Sequence, residues 1–206
     1  MDQLKNNLAQ QPSSPPADVQ RGEVREGEIL SIGEEKAVVD LGIEPNGLVP
    51  AEEMERLDDD IRARLAVGDT VPVVVVDSGG NGDEVIVSLK QGLARRDWQR
   101  ARRMLESGEF YEAEVSEANR GGLVIPFGQL QGFVPNSQLS SVPQGLRGER
   151  RRRLKQDLVG RQLTTAVIEV EREERRLVLS ERAADEQRRE QLLDELKAGQ
   201  VRSGVV

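Results

Sequence analysis

The sequence contains no cysteine and no histidine. The first absence excludes a disulfide framework and thiolate metal sites. The second removes the commonest general base and the commonest metal ligand. Aromatic residues are scarce: one Trp, one Tyr and three Phe among 206 residues. No apolar run approaches the roughly 20 residues that a membrane helix needs. The opening "MDQLKNNLAQQPSSPP" lacks the basic start and apolar centre of a signal peptide. No Ser or Lys has an evident activating partner. The expectation is a soluble, cytoplasmic, non-enzymatic chain that uses no cofactor and no metal.

Charge is abundant and unevenly placed. The net value of −8 hides 8 basic and 19 acidic groups in residues 1–90, against 13 basic and 8 acidic in residues 91–161. An acidic first part is followed by a base-rich one, and nucleic-acid binders commonly carry a basic face.

The sequence also repeats itself. "GEVREGEI" from Gly22, "GEFYEAEV" from Gly108 and "GQVRSGVV" from Gly199 share one pattern, and they start 86 and 91 residues apart. "NGLVPAEE" (46–53) matches "QGFVPNSQ" (131–138), and "VIVSLK" (85–90) matches "LVLSER" (177–182). Collinear pairs at a near-constant offset indicate tandem duplication. The period exceeds the roughly 20–50 residues of solenoid repeats and suits a small domain with its own core. The third start predicts that residues 198–206 open a further domain, cut short.

Alternation and turn residues predict five strands per domain, with helix before the fourth. "AEEMERLDDDIRARLAVG" (51–68) puts Met54, Leu57, Ile61 and Leu65 on one helical face. Glu52, Glu53, Glu55, Asp58, Asp59 and Asp60 fall opposite it, where a solvated face outweighs a magnesium site. Asn-Gly in 79–83 marks a hairpin. The expected fold is all-β with helical linkers: two five-stranded OB-type barrels and the first strand of a truncated third. The boundaries are a tail over 1–20, domains over 21–90 and 108–182, and linker helices over 91–107 and 183–197. Leu4 and Leu8 make the tail either a disordered leash or a short docking helix.

"REGEILSI…VVDLG…NGLVPAEEM…VSLK" and "SGEFYEAEVSEANRGGLVIPFGQLQGFVPNSQL…LVLSER" resemble the S1-type RNA-binding repeat. The tandem order, the helical linker with Trp98 and the soft tail resemble the N-terminal part of ribosomal members of that family. The resemblance implies OB folds in series, attachment to the small ribosomal subunit and mRNA capture during translation initiation. It also implies that early repeats dock on the ribosome, on a basic S2-family protein, while later ones hold single-stranded RNA. Two other readings stay open: an S1-repeat RNA chaperone or regulator off the ribosome, and the accessory region of an RNA-processing enzyme.

RNA-competent repeats of the family carry two Phe at the first turn and a His after Gly-Leu-Val. Aligned on that pattern, this chain has Glu35, Val38 and Pro50 in the first repeat, and Gly121, Val124 and Pro135 in the second. All six slots have lost the stacking or hydrogen-bonding group. Phe133 aligns with a core Leu, which sets packing against stacking as its role. Tyr111 is the candidate stacking ring of the second domain. Arg147, Arg150, Arg151, Arg152, Arg153 and Lys155 form either a solvated helix face or a phosphate-contacting patch, and Arg120 joins them as an RNA-contact candidate. Arg95, Arg96, Arg100, Arg102 and Arg103 on the linker could extend that patch. Weak, strongly salt-dependent binding of single-stranded mRNA is expected.

Overall fold

The computed structural model describes residues 19–33, 36–57, 59–78, 84–146 and 148–194. The expected tail with Leu4 and Leu8, Glu35, the expected hairpin over 79–83, Arg147 and the third start at Gly199 lie outside them. The chain divides into two compact units, Met1–Gly92 and Leu93–Val206.

The first unit contains β1 (Val24–Ile32), β2 (Lys36–Asp40), β3 (Gly47–Pro50), β4 (Thr70–Asp77) and β5 (Val85–Ser88). They close a barrel in the order β1-β2-β3-β5-β4, and only β3 and β5 run parallel. Alternate residues point inward, so Ile29, Val39, Val49, Val73, Val75 and Val87 form a core almost sealed from water. Each such buried aliphatic contributes about 1.5–3 kcal/mol relative to exposure.

The helix expected over 51–68 is two short ones, α1 (Ala51–Glu55) and α2 (Asp59–Arg62). Arg56 and Leu57 donate to the carbonyls of Glu53 and Met54, a tighter i to i+3 turn that ends α1. That turn buries Met54 and Leu57, whereas Ile61 and Leu65 stay half-exposed. The acidic triplet that follows favours a new start, because Asp prefers the N-terminal end of a helix.

The second unit repeats the order with one difference. After α3 (Leu89–Ser107) come β6 (Phe110–Glu114), β7 (Glu117–Ala118), β8 (Gly122–Phe127), β9 (Leu130–Pro135), a 3-10 turn (Asn136–Gln138), α4 (Gly148–Gln156), β10 (Gln162–Glu171), β11 (Arg176–Ser180) and α5 (Glu181–Asp194). The expectation of a second five-stranded barrel is corrected to a curled six-stranded sheet, β6-β10-β11-β9-β8-β7. Its two edges are halves of one strand, broken at Val115–Ser116. Val115 N–H turns to the carbonyl of Arg161, and Ser116 N–H turns to that of Val124. The core holds Leu123, Ile125, Phe127, Val134, Leu177 and Leu179, with Ala101 and Met104 of α3 packed in.

The repeated motifs have a structural meaning. Ser88 and Ser180 each end the last strand of a unit and cap the next helix: Gln91 N–H donates to Ser88 Oγ at 3.1 Å and Ala183 N–H to Ser180 Oγ at 2.9 Å. Each serine hydroxyl donates in turn to the residue three after the motif proline, Glu53 at 3.1 Å and Gln138 at 2.8 Å. Glu53 therefore does not belong to the solvated acidic face; it also accepts from Lys90 N–H at 2.8 Å. Ser180→Ala should lower the stability of the second unit by about 1 kcal/mol, the usual cost of a lost cap. Urea unfolding followed through Trp98 reads this, since the sole Trp packs on that core. An unchanged midpoint would remove the cap from the account.

Candidate nucleic-acid interface

In a barrel of this order, oligonucleotides bind the outer face of the second and third strands and the adjoining loops. Among the described residues, strands β1–β3 of the first unit carry no aromatic ring and no unpaired cation. Val38 is half-buried, Leu48 is buried and Pro50 is exposed but ends β3 as the N-cap of α1. Along β1 the outward residues Glu26, Glu28, Leu30 and Ile32 are exposed. Glu28 lies directly across from Asp40, a repulsive pair. Arg25 and Lys36, the basic residues of β1–β3, are paired with Glu23 at 2.8 Å and Glu84 at 3.1 Å.

The second unit differs. Val134 is fully buried on β9, so Phe133 beside it points to the outer face. Phe133 is half-exposed and lies outside the buried core, opposite Val124 and Val178. Its ring tip would stand 2.9 Å from a Cβ on Gly122 and 3.2 Å from one on Gly121. The glycines thus leave room for a ring that reaches over from the neighbouring strand. Phe133 therefore sits on the outer face of β9, outside the buried core cluster. Strand parity was the signal: in "GFVP" the Val is the inward residue, so the Phe beside it is not.

Tyr111 is placed elsewhere. Its ring stands 4.5 Å from that of Phe127, its hydroxyl donates to the Pro126 carbonyl at 2.8 Å, and Arg100 lies 5.6 Å from its ring centroid. Burial raises the phenol pKa. The ring is already engaged within the unit and is not a bare platform. Arg188 covers Phe110 in the same way, at 5.6 Å. Asp97 of α3 fixes the neighbouring β8–β9 turn by accepting from Gln129 N–H at 2.7 Å, and burial pushes its carboxyl pKa up. Gly128 in that turn has φ +60°, and an added Cβ would fall 2.2 Å from the Asp97 carboxylate.

The cationic candidates separate into two groups. Arg120, Arg151, Arg152 and Lys155 line one cavity of about 720 Å³ between the β7–β8 turn and α4. Arg150 and Arg153 lie exposed on α4, Arg153 at 3.9 Å from Glu149. Lys155 is the buried residue of α4. Its ammonium donates to the carbonyls of Asn119 and, at 3.3 Å, of Arg120, so it pins α4 to the turn. Burial first, then the Arg151 charge, lowers its pKa. Asn119 Oδ1 completes that turn by accepting from Gly121 and Gly122 N–H, both at 3.0 Å. Pro135, the remaining slot residue, caps the 3-10 turn with φ −61°.

Two β-units in this strand order define an oligonucleotide-binding class of fold. Residues 18–90 and 104–182 match the model of the S1 RNA binding domain. The chain belongs to the S1 RNA-binding domain family, as the resemblance implied. It is similar to "Small ribosomal subunit protein bS1" of Mycolicibacterium smegmatis, 30% identical over 190 residues, which are 90% of this chain and 38% of that one. It is also similar to the bS1 protein of Synechococcus elongatus, 28% identical over 193 residues, covering 92% of this chain and 60% of that one. The chain thus spans less than two thirds of these relatives. Among solved structures, GSP13 from Bacillus subtilis is 30% identical over 34% of this chain and 55% of its own, with a TM-score of 0.30 that carries no argument. Among the described residues, no helix is long and apolar enough to cross a membrane.

Proposed function

We propose that the chain attaches a longer RNA-catching polypeptide to the small ribosomal subunit for translation initiation. In this reading the first unit, with the segment around Leu4 and Leu8, docks on a basic protein of the S2 family. The second unit touches single-stranded mRNA weakly and without base preference, through Phe133 and the α4 arginines. The repeats of the longer polypeptide supply most of the RNA affinity.

The observation that supports this division is the outer face of the first unit. Exposed Leu30 and Ile32 sit beside Glu26, Glu28 and Asp40, with no ring and no unpaired cation on β1–β3. Such a face repels phosphate and suits a basic protein surface, and opposite potentials speed and orient the encounter. Both bS1 relatives are small-subunit proteins by name, which points the same way. Co-sedimentation with small-subunit particles tests it. The chain should pellet with the particles, and Leu30→Asp with Ile32→Asp, or deletion of residues 1–20, should weaken this. Pelleting only in the presence of added mRNA would overturn the docking role.

A further inference from the structure

The cavity between the β7–β8 turn and α4 has features that a general basic patch does not need. We propose that it is a nucleotide site: its arginines hold the phosphate, and ribose and base lie along walls of amide side chains without base preference. This rests on the RNA reading above and locates it in one place.

Charge is the first argument. Arg120, Arg151, Arg152 and Lys155 line the cavity with one carboxylate, Glu149. Glu149 stands 4.0 Å from Arg152 and 3.9 Å from Arg153, so it serves α4 itself. Arg120 makes no side-chain hydrogen bond or ion pair among the described residues. The cations crowd one another, as the lowered Lys155 pKa with its Arg151 contribution reflects. An anion between them removes that repulsion.

Unmet hydrogen bonding is the second. Arg151 gives Nη2 to the Gln144 carbonyl at 2.7 Å, while its Nε is buried without a partner. Asn136 Nδ2 donates to the Arg120 carbonyl at 2.9 Å, which fixes the amide and leaves its buried Oδ1 as an unmatched acceptor. Both atoms are sealed from water, but their residues line the cavity, so a small side-chain rotation would present a donor and an acceptor to a ligand that both accepts and donates. Phosphate oxygens accept, and ribose hydroxyls or base amino groups donate.

Size is the third. About 720 Å³ falls within the roughly 300–1,000 Å³ of small-molecule pockets and far exceeds a lone phosphate. No aromatic residue lines it, so the cavity offers no stacking platform and binding rests on the phosphate and sugar.

The phosphate could belong to a free nucleotide or to an RNA strand, and the test separates these sources. The whole chain is titrated with UMP, AMP, inorganic phosphate and a hexauridylate lacking a terminal phosphate, by nitrogen-edited NMR. UMP and AMP are expected to shift the Asn136 side-chain amide and the Arg120–Gly122 backbone signals with affinities within about threefold of each other. Response to the hexauridylate alone assigns the site to strand phosphates, and still supports it. Arg151→Gln and Arg152→Gln should each weaken binding at least tenfold with a preserved spectrum, while Arg189→Gln on α5 leaves it unchanged. Inorganic phosphate matching UMP would reduce the site to an anion hole and overturn the nucleotide assignment. Hexauridylate shifts around Phe133 with none at Asn136 would overturn the site but spare the RNA reading. No response to any RNA would sink both.

Discussion

Phe127→Ala is expected to lower the unfolding free energy of the second unit by about 3–5 kcal/mol, the range for truncating a buried Phe. Phe127 is fully buried. Its ring supports Tyr111 at 4.5 Å and lies under Arg100 at 5.4 Å. Truncation therefore opens a cavity and also strips Tyr111 and Arg100 of the surface they pack on. The Tyr111 hydroxyl bond to the adjacent Pro126 loosens with it. These groups join β6, β8 and α3, so little nearby can collapse into the gap, which places the cost toward the upper end. Equilibrium urea unfolding followed by Trp98 fluorescence measures it. A loss below about 1 kcal/mol would mean that the ring is not central to the core.

How much of this was legible beforehand depended on whether a residue advertises its neighbours. The duplicated motifs were visible as strings, and they announced two domains. Their meaning was not, because the serine that caps α3 or α5 and the Glu53 or Gln138 it bonds lie far apart in sequence. The strands followed from alternation, yet the break at Val115–Ser116 did not. It depends on Val115 bonding Arg161 while Ser116 bonds Val124, contacts that no local pattern encodes. The periodic apolar residues over 51–68 suggested one helix, and the acidic triplet inside it should have weighed more. Lys155 was legible as part of the basic patch, but its burial and pinning role were not visible, for a different reason. In "RRRRLK" a buried lysine looks like its exposed neighbours, and only the carbonyls of Asn119 and Arg120 distinguish it. For Phe133, alignment to a core Leu left packing and stacking both open, because alignment does not show which face of the strand a residue takes. Its counterpart Leu48 is indeed buried, so the two repeats diverge at this position.

That divergence yields a pair of variants whose effects on RNA binding should differ in kind. Phe133→Leu restores the residue that the first unit carries, so it keeps an aliphatic contact over Gly121–Gly122 and removes the ring. Stacking on one base contributes roughly 1–3 kcal/mol, so affinity for oligouridylate should fall by about 5- to 150-fold. Stacking releases no counterions, and the slope of log affinity against log salt should stay the same. Replacing Arg150, Arg152 and Arg153 with Gln acts through the opposite route. Each phosphate contact on a single strand contributes about 0.7 to that slope, so losing three flattens it by about 2 and weakens binding chiefly at low salt. Fluorescence anisotropy between 50 and 200 mM salt, about the interval over which counterion release is large, resolves both effects. If the ring variant flattened the slope, or the arginine variant kept it, the two roles would have to be exchanged. If neither changed affinity, the outer face of β8–β9 and helix α4 would both be excluded as the path of the strand.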